Sequence, residues 1–312
     1  MELLAHLDYL GGQYTYFSMN RRDFLKTSLA ATLASSATMK AFALADNNPY
    51  RKNIGIQLYT LRRQIAEDTV GTIKAVAEAG YKQVEAYGFP DADAMIRASK
   101  EFGMQVNSAH FAWESVTAPE KQGVIPFEKI LDKASEMRLS HLVVPYLHTH
   151  ERETLDDYKR MADLLNKAAA KAKDANITLA YHNHSFEYAP QEGSKTGFDV
   201  MIEEFSDEMK FEIDVFWVSA GGIDPVDMMK RLEGRISQLH LKDLKQGIEL
   251  PEFDNTKIPR DSFKELGNGI IEMEPIIEAA WVAGVDHAHV EQDESADPIA
   301  SIQQSIAYLA TL

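Results

Sequence analysis

Residues 211–241 read FEIDVFWVSAGGIDPVDMMKRLEGRISQLHL, and this stretch holds one complete unit of the predicted fold. It opens with a β-rich run at 211–216. An Asp-Pro pair then favours the start of a helix over 224–232, because proline is well tolerated in the first helical turn. A second β-rich run follows at 236–241. The stretch therefore predicts a strand, a helix and a second strand.

The same alternation extends along most of the chain. The predicted strands are 54–59, 83–87, 105–110, 142–146, 177–182, 211–216, 236–241 and 288–292. Helical periodicity lies between several of them, at 69–79, 155–172, 224–232 and 275–283. Eight strand–helix units in about 250 residues match the size of a (β/α)8 barrel. The apolar runs also suit strands buried on both faces. We therefore predict an α/β fold, a single-domain (β/α)8 TIM barrel.

A doubly wound open sheet is the main alternative fold. Its dinucleotide-binding form carries a Gly-x-Gly-x-x-Gly motif after the first strand, and this chain has none there. The chain shows no sequence repeat and no low-complexity linker. One barrel domain therefore accounts for the pattern most simply.

Composition excludes several classes of protein. The 312 residues contain no cysteine, which excludes a disulfide-stapled domain, a cysteine-ligated zinc module, an iron–sulfur protein and a cysteine nucleophile. The formal net charge is −16. Such a surface repels phosphate backbones, and the chain has no Lys/Arg-rich run, so nucleic acid is not an expected partner.

The N-terminal region is predicted to be an export signal. Residues 20–26 read NRRDFLK, a mildly apolar run follows at 27–34, and small-x-small cleavage patterns occupy 41–43 and 43–45. This arrangement is typical of a twin-arginine signal, with an amphipathic surface helix as the alternative. We therefore predict a signal over residues 1–45, and the twin-arginine export machinery as a partner.

Export leads to further expectations. Met19 directly precedes the twin-arginine segment, so residues 1–18 are interpreted as an upstream mis-start. Cleavage after residue 45 leaves the barrel at 46–312, with a net charge of −17. The apolar run is short and rich in Ser and Thr, so no stable membrane span is expected after processing. The predicted location is the periplasm.

Polar side chains accumulate where the predicted strands end. In a barrel of this kind, the carboxyl ends of the strands form the active site. Carboxylates and imidazoles crowded there would repel and be desolvated unless a cation neutralised them. One divalent metal, Mn²⁺, Co²⁺, Zn²⁺ or Fe²⁺, suits such mixed ligands. The residues concerned are Glu85, His110, His182, His184, Glu187, Asp214, His240, Lys242, Asp243, Glu291 and Asp293.

Several of these residues lie in motifs with a known counterpart. The segments are YHNH at 181–184, DVFW at 214–217, AGGIDP at 220–225, HLKD at 240–243, LGNG at 266–269 and VEQD at 290–293. They resemble, in order, those of the xylose-isomerase-like barrel superfamily, often called sugar phosphate isomerases/epimerases. The resemblance implies a single divalent metal held by His182, Asp214, His240 and Glu291. Many members have Glu at position 182, so His184 and Glu187 remain alternative ligands.

Each residue also has an alternative, purely structural interpretation. Asp214 would equally suit a helix cap, His240 a core histidine with satisfied hydrogen bonds, and Glu291 a solvated loop acid. The predicted catalytic residues are Glu291, His184, Glu187 and Lys242, and His182 is a further candidate base. The predicted substrate contacts are Glu85, His110, Trp217 and Asp243.

The resemblance implies chemistry next to a carbonyl. A divalent metal would polarise the carbonyl of a keto sugar, a base would remove the neighbouring proton, and the metal would hold the resulting enediolate. Return of the proton gives isomerisation or epimerisation, whereas loss of a β-substituent makes the enzyme a lyase. Export favours an unphosphorylated keto sugar or glycoside as the substrate, and the resemblance to related exported barrels implies a 3-keto-glycoside.

Three alternative functions remain at this stage. They are a non-catalytic sugar-binding barrel, an apurinic-endonuclease-like phosphodiesterase and a glycosidase that uses paired acids without metal. The negative charge and the export signal disfavour the phosphodiesterase. The oligomeric state is open, although barrels of this family often pair as homo-oligomers.

Overall fold

The computed structural model describes residues 48, 50, 53–285 and 287–312. The predicted signal over residues 1–45 therefore lies outside the described residues. Its cleavage and its boundary with the barrel domain at 46–312 remain predictions.

The described residues form ten β-strands, eight of which are parallel and close into a barrel. They are β1 (Gly55–Gln57), β2 (Gln83–Phe89), β3 (Gln105–Phe111), β4 (His141–Val144), β5 (Thr178–His182), β6 (Met209–Asp214), β7 (Ile236–Leu241), β8 (Asp243–Leu244), β9 (Phe263–Lys264) and β10 (Ala288–Val290). Each strand from β1 to β7 pairs with the next, and β10 closes the ring between β7 and β1. The antiparallel pair β8–β9 lies outside this ring.

Helices separate most of the barrel strands, as the sequence pattern predicts. They are α1 (Arg62–Glu67), α2 (Thr69–Ala79), α3 (Asp93–Glu101), α4 (Glu114–Thr117), α5 (Phe127–Met137), α6 (Leu155–Asp174), α7 (Gly197–Glu204), α8 (Val215–Ala220), α9 (Pro225–Arg231), α10 (Met273–Val282) and α11 (Pro298–Leu309). Short 3₁₀ turns lie at Leu58–Leu61, Thr149–Glu151, Phe186–Tyr188, Glu192–Ser194 and Arg260–Ser262. The prediction of a (β/α)8 TIM barrel is confirmed. None of the helices in the described ranges combines the length and apolar character needed to cross a membrane.

Strand β6 differs from the predicted run at 211–216 because a helix begins at its end. The strand stops at Asp214. Oxygen Oδ1 of Asp214 accepts the backbone N–H groups of Phe216 at 2.9 Å and Trp217 at 3.1 Å. A carboxylate in this position caps a helix and satisfies N–H groups that have no partner within it. The β-rich residues Val215 and Phe216 therefore belong to α8.

Strand β1 is shorter than the predicted run at 54–59 for a related reason. The side-chain oxygen of Gln57 accepts the backbone N–H of Tyr59 at 3.0 Å, and the chain enters a 3₁₀ turn. The NH₂ group of the same side chain points into the barrel and donates a hydrogen bond to Glu85 at 2.7 Å. One side chain thus ends the strand and joins the barrel interior.

The barrel wall separates a polar interior from an apolar outer layer. On β6, the Phe211 ring lies against the helical side, with centroids 5.3 Å from Phe198 and 5.2 Å from Phe205. The next residue, Glu212, points inward and lies 2.9 Å from a ring nitrogen of His182. Side chains alternate between the two faces of a strand, so both faces are buried. The inner face is polar here, unlike the branched aliphatic layers that fill most such barrels.

Gly55 in β1 leaves room for that interior. A Cβ added at Gly55 would collide with the His289 ring and would lie 2.7 Å from Cγ of Gln83. Both neighbours are fully buried, so neither can move into solvent. We expect Gly55→Ala to lower the free energy of unfolding by about 1–3 kcal/mol, as overpacked cores do.

Urea unfolding of the purified variant measures this change. Val70→Ala, at a helix position that is 54% exposed, is the control and should stay within about 0.5 kcal/mol of wild type. Equal stability of Gly55→Ala and this control would contradict the steric explanation.

Candidate active site

The four side chains predicted as metal ligands meet at the carboxyl end of the barrel. His182 and Asp214 are the last residues of β5 and β6. His240 lies near the end of β7, and Glu291 directly follows β10. All four are buried, and one ligand atom from each lies within 4.8 Å of the other three. The structure therefore brings this set together, and its assignment as a metal centre remains a prediction.

The chemistry of the four donors fits a divalent ion. Two imidazoles and two carboxylates form a mixed set that suits Zn²⁺, Co²⁺, Fe²⁺ or Mn²⁺. While Oδ1 of Asp214 caps α8, its Oδ2 is buried and accepts no hydrogen bond from any described residue. A buried carboxylate oxygen needs positive charge beside it, which the Lys242 ammonium at 3.0 Å supplies in part and a bound cation would supplement. These buried clusters of His, Asp and Glu are therefore able to hold a metal.

Lys242 supplies a positive charge at the same place. Its ammonium lies 2.7 Å from Glu291, 3.0 Å from Oδ2 of Asp214 and 3.0 Å from Asp293. Burial would lower the pKa of the Lys242 ammonium, but these three carboxylates raise it well above its usual value. Lys242 is therefore charged, buried and directed at two of the predicted ligands, which fits its prediction as a catalytic residue.

Glu85 lies deeper in the barrel than the sequence predicts. Strand β2 continues to Phe89, so Glu85 is not at the strand end. Its carboxylate is fully buried and accepts the hydroxyl of Ser108 and the amide of Gln238, the latter at 2.6 Å. It also lies 2.8 Å from Nε2 of His240. These contacts engage Glu85 inside the barrel, and its role as a substrate contact remains a prediction.

Glu212 is the central carboxylate of this inner layer, and no sequence prediction included it. It precedes Asp214 by two residues and faces the same side of β6. Its carboxylate lies 2.9 Å from His182, 2.9 Å from His110 and 3.2 Å from His240. The spacing of two residues from a predicted ligand was the available signal. Its place within an otherwise apolar run hid it.

Burial and charge act in opposite directions on the histidines of the cluster. Burial lowers the pKa of His110, but the negative charges of Glu85 and Glu212 raise it to about 9. Burial also lowers the pKa of His240, yet neighbouring glutamates raise it well above its usual value. For His182 burial prevails and the pKa is lowered. The buried glutamates therefore favour positive charge at His110 and at the place of His240.

His110 was predicted to contact substrate, and the structure directs it inward. Its Nε2 lies 2.9 Å from Glu212 and 3.2 Å from Glu85. Its ring stacks on that of His240, with centroids 5.4 Å apart and planes inclined by 15°. His110 thus belongs to the inner cluster, and its role as a substrate contact remains a prediction.

His184 and Trp217 form an aromatic wall beside the predicted ligands. The His184 ring lies 5.1 Å from His182, stacks on Phe186 at 5.2 Å and lies 5.2 Å from Trp217. Nδ1 of His184 and Nε1 of Trp217 are buried and have no hydrogen-bond partner among the described residues. Burial, together with the charge of Lys242, lowers the pKa of His184 well below its usual value. The His184 ring is therefore neutral, and a buried ring nitrogen and a buried indole N–H beside the predicted ligands lack hydrogen-bond partners among the described residues.

Glu187 closes the turn that follows β5. One oxygen accepts the Tyr181 hydroxyl at 2.5 Å, and the other accepts the backbone N–H of His184 at 2.9 Å. Burial raises the pKa of the Glu187 carboxyl to about 7, although these hydrogen bonds act to lower it. Glu187 therefore positions the backbone of His184, and its predicted part as a base or ligand remains a prediction.

Asp243 holds a loop instead of facing the mouth. Its carboxylate accepts the backbone N–H groups of Leu244 at 2.8 Å, Gly267 at 3.0 Å, Gly269 at 2.8 Å and Ile271 at 3.0 Å. Both oxygens are engaged by the LGNG segment noted in the sequence. A substrate contact by Asp243 would have to displace one of these N–H groups, so the geometry supports a structural role.

Comparison with known proteins places the chain among related sequences. Residues 73–312 match the family described as xylose isomerase-like TIM barrel. Residues 18–38 match the twin-arginine translocation pathway signal sequence. The predicted resemblance is thereby confirmed, and so is the presence of a twin-arginine signal sequence.

A curated relative and two solved structures illustrate the similarity. An inosose dehydratase of Clostridium tetani is 26% identical over 194 residues, which are 56% of this chain and 63% of that protein's length. A sugar phosphate isomerase/epimerase from Parabacteroides distasonis has a TM-score of 0.67 at 21% identity, over 84% of this chain and 98% of its own. The structure of the IolI protein with a bound zinc atom has a TM-score of 0.60 at 12% identity. The match covers 83% of this chain and 98% of that protein. These solved structures share the fold.

The raised pKa of Glu187 makes stability depend on pH. The pKa is about 7 in the folded protein against 4.5 for an ordinary glutamate, so the folded state holds a proton that the unfolded state has lost between these values. Stability should therefore fall as pH rises from 4.5 to about 7, by about 3 kcal/mol from this group. Glu187→Gln, which cannot ionise, should lack this component.

Urea unfolding of both proteins across this pH window isolates the effect, because other titrating groups cancel in the difference. The stability of wild type relative to Glu187→Gln should decline with rising pH. A difference that stays constant, or that grows in favour of wild type, would contradict the raised pKa.

Proposed function

This chain belongs to the xylose isomerase-like TIM barrel family, and we propose that it is an exported, divalent-metal-dependent enzyme acting on a keto sugar or keto-glycoside. The proposed reaction begins with removal of a proton from the carbon next to a carbonyl. The observation that carries the proposal is the convergence of His182, Asp214, His240 and Glu291 within 4.8 Å at the barrel mouth. Oδ2 of Asp214 accepts no hydrogen bond from a described residue and lies 3.0 Å from the Lys242 ammonium, which supports positive charge at this place.

A divalent ion held by these four residues supplies Lewis-acid polarisation of the substrate carbonyl, which acidifies the neighbouring C–H bond. The same fold holds zinc in the IolI protein. The protein's own part is to orient the substrate, to exclude water and to move protons. The deep, polar and buried cluster behind the mouth suits this task, because charges interact strongly where water is excluded.

His184 is the base that the geometry favours. Its Nδ1 is buried and has no hydrogen-bond partner among the described residues, so it is free to accept a proton. Oε2 of Glu291 contacts His240 at 2.8 Å and Lys242 at 2.7 Å, so only its other oxygen, Oε1, would serve as a base. The two hydrogen bonds to Glu187 occupy both of its oxygens. A base must reach its proton with a free lone pair, and we propose that the neutral ring of His184 supplies it, with Oε1 of Glu291 as the second candidate.

Lys242 is the proposed acid and electrostatic partner. Its buried ammonium lies among Asp214, Glu291 and Asp293 and carries protons that it can donate. In an elimination, the C–H bond breaks towards His184 and a carbon–carbon double bond forms. The C–O bond to the β-hydroxyl breaks, and that group takes a proton from Lys242 and leaves as water. Atoms and charge balance within these two residues and the substrate.

The curated sequence relatives support elimination as the outcome. The matched curated protein is an inosose dehydratase, and an inosose is a cyclic polyol with one ketone. Loss of water next to a ketone uses the same initial proton removal as isomerisation. We therefore propose a lyase acting on a cyclic keto polyol or keto-glycoside, with a twin-arginine signal that directs the protein to the periplasm.

Ligand variants test the metal centre. Asp214→Ala and His240→Ala should each remove most of the bound metal, because each deletes one of four donors. Elemental analysis of the purified proteins measures metal per chain, and circular dichroism checks that the barrel is retained. His148→Ala is the control, since this rim histidine lies 3.4 Å from Glu114 and outside the four-residue set. Full metal content in either ligand variant would show that the ligand assignment is wrong.

Isotope exchange tests the chemistry. Wild-type protein incubated in D₂O with an inosose or a 3-keto-glucoside should place deuterium next to the carbonyl or release a dehydrated product, detected by mass spectrometry and NMR. His184→Phe should slow this step by about 100- to 10,000-fold, the usual contribution of a general base.

Metal-stripped wild type serves as the control and should recover activity when metal is restored. Turnover that survives exhaustive chelation would contradict the proposed function. Absence of exchange with every keto substrate tried would do the same.

A further inference from the structure

Two fully buried glutamates lie directly behind the predicted metal ligands. Glu212 and Glu85 sit one layer deeper in the barrel, and neither belongs to the set His182, Asp214, His240 and Glu291. Their side chains reach the backs of the two ligand histidines. The two rings use different nitrogens for these contacts: Nδ1 in His182 and Nε2 in His240.

The His182 ring lies between an inner and an outer carboxylate. Its Nδ1 is 2.9 Å from Oε2 of Glu212, a hydrogen-bond distance. Its Nε2 lies 3.8 Å from Oδ2 of Asp214, the oxygen that accepts no hydrogen bond in the described part of the chain. A proton on Nδ1 donated to Glu212 leaves the lone pair of Nε2 directed at the outer site.

The His240 ring is arranged in the opposite sense. Its Nε2 is 2.8 Å from Oε1 of Glu85 and 3.2 Å from Oε1 of Glu212. Its Nδ1 faces outward, 2.8 Å from Glu291 and 4.0 Å from Oδ2 of Asp214. Donation from Nε2 to Glu85 therefore leaves Nδ1 as the nitrogen available to a cation.

The inner carboxylates are themselves held in place. Gln238 donates to Glu85 at 2.6 Å and also to Glu212, while Gln57 donates to Glu85 at 2.7 Å. Ser108 adds a hydroxyl donor to Glu85. Each of these three donors is fully buried. The layer is therefore a connected network in which neither glutamate can turn away from its histidine without losing hydrogen bonds.

We propose that Glu212 and Glu85 are positioning residues of the metal centre, which fix His182 as the Nε2 ligand and His240 as the Nδ1 ligand. The inference rests on the proposed metal-dependent function. A carboxylate behind a ligand histidine fixes the tautomer and ring orientation and makes the ligand nitrogen more basic. The centre is thus six residues in two layers, although only the outer four contact the ion.

A second ion in the inner layer is the competing assignment. Glu85, Glu212, His240 and His289 also have ligand atoms within 4.8 Å of one another, and both nitrogens of His289 lack hydrogen bonds to described residues. The donors Gln57, Ser108 and Gln238 already occupy these carboxylates, which favours the positioning role. The number of ions per chain separates the two assignments.

Zinc titration of the full-length protein tests the proposal. Glu212→Gln and Glu85→Gln keep the size of each side chain and remove its charge, and each should weaken zinc binding about 10- to 100-fold. Glu151→Gln is the matched control, because Glu151 is also buried but accepts the backbone N–H of His148 at 2.6 Å on the rim. Its zinc affinity should equal that of wild type. Competition with a chromophoric chelator gives the dissociation constants.

A second measurement needs no variant. Nitrogen-15 NMR of histidine-labelled, zinc-loaded wild type should show the proton of His182 on Nδ1 and that of His240 on Nε2. The reverse assignment for either ring would overturn the proposal, as would equal zinc affinity of wild type and Glu212→Gln. Two zinc ions per wild-type chain, falling to one in Glu212→Gln, would replace it with the inner metal site. Failure of wild type to bind any ion would overturn the proposed function as well.

Discussion

Neutralisation of negative charge inside the barrel is the constraint on which the site depends. Among the residues that the structure describes, four carboxylates are buried in this cluster beside one ammonium, that of Lys242; they are Glu85, Glu212, Asp214 and Glu291. A buried charge without a partner costs several kcal/mol, so such a group persists only when hydrogen bonds and opposite charges surround it. The imidazole rings of His182 and His240 lie between the two layers of carboxylates. One nitrogen of each ring contacts an inner glutamate, and the other nitrogen faces the outer carboxylates. The mouth retains an excess of acceptors, which is what a cation requires.

Parallel strands produce this layering without special local structure. Side chains two residues apart share one face of a strand, so Glu212 lies behind Asp214, and Gln238 lies behind His240 and Lys242. Closure of the ring brings the inward faces of β2, β6 and β7 together across the barrel. The apolar residues between them face the helices, and this outer packing supplies the stability that a polar interior does not. The outward faces of the strands thus stabilise the fold, and the inward faces of the same strands form the candidate site.

Much of this organisation could be predicted from sequence. The eight barrel strands agree with the predicted runs to within a few residues, because each run is β-rich and separated from the next by helix signals. The convergence of His182, Asp214, His240 and Glu291 agrees with the family resemblance of the motifs at the strand ends. Glu85 was placed too near the mouth, since nothing local indicates that β2 continues to Phe89. Glu212 was missed because a single acidic residue in an apolar run carries no local sign of its partners.

The chain's pattern of residues was enough to specify the barrel, the export signal and the residue types at its mouth, because periodicity and motifs are local properties. Tertiary structure alone decided the rest. Closure of the ring sets which strand faces lie opposite each other, and so made Glu212 and Glu85 neighbours of two histidines distant in sequence. It also assigned Asp243 to a loop and turned His110 inward. Hydrogen-bond partners across a barrel depend on strand register, and register follows from the packing of the whole ring.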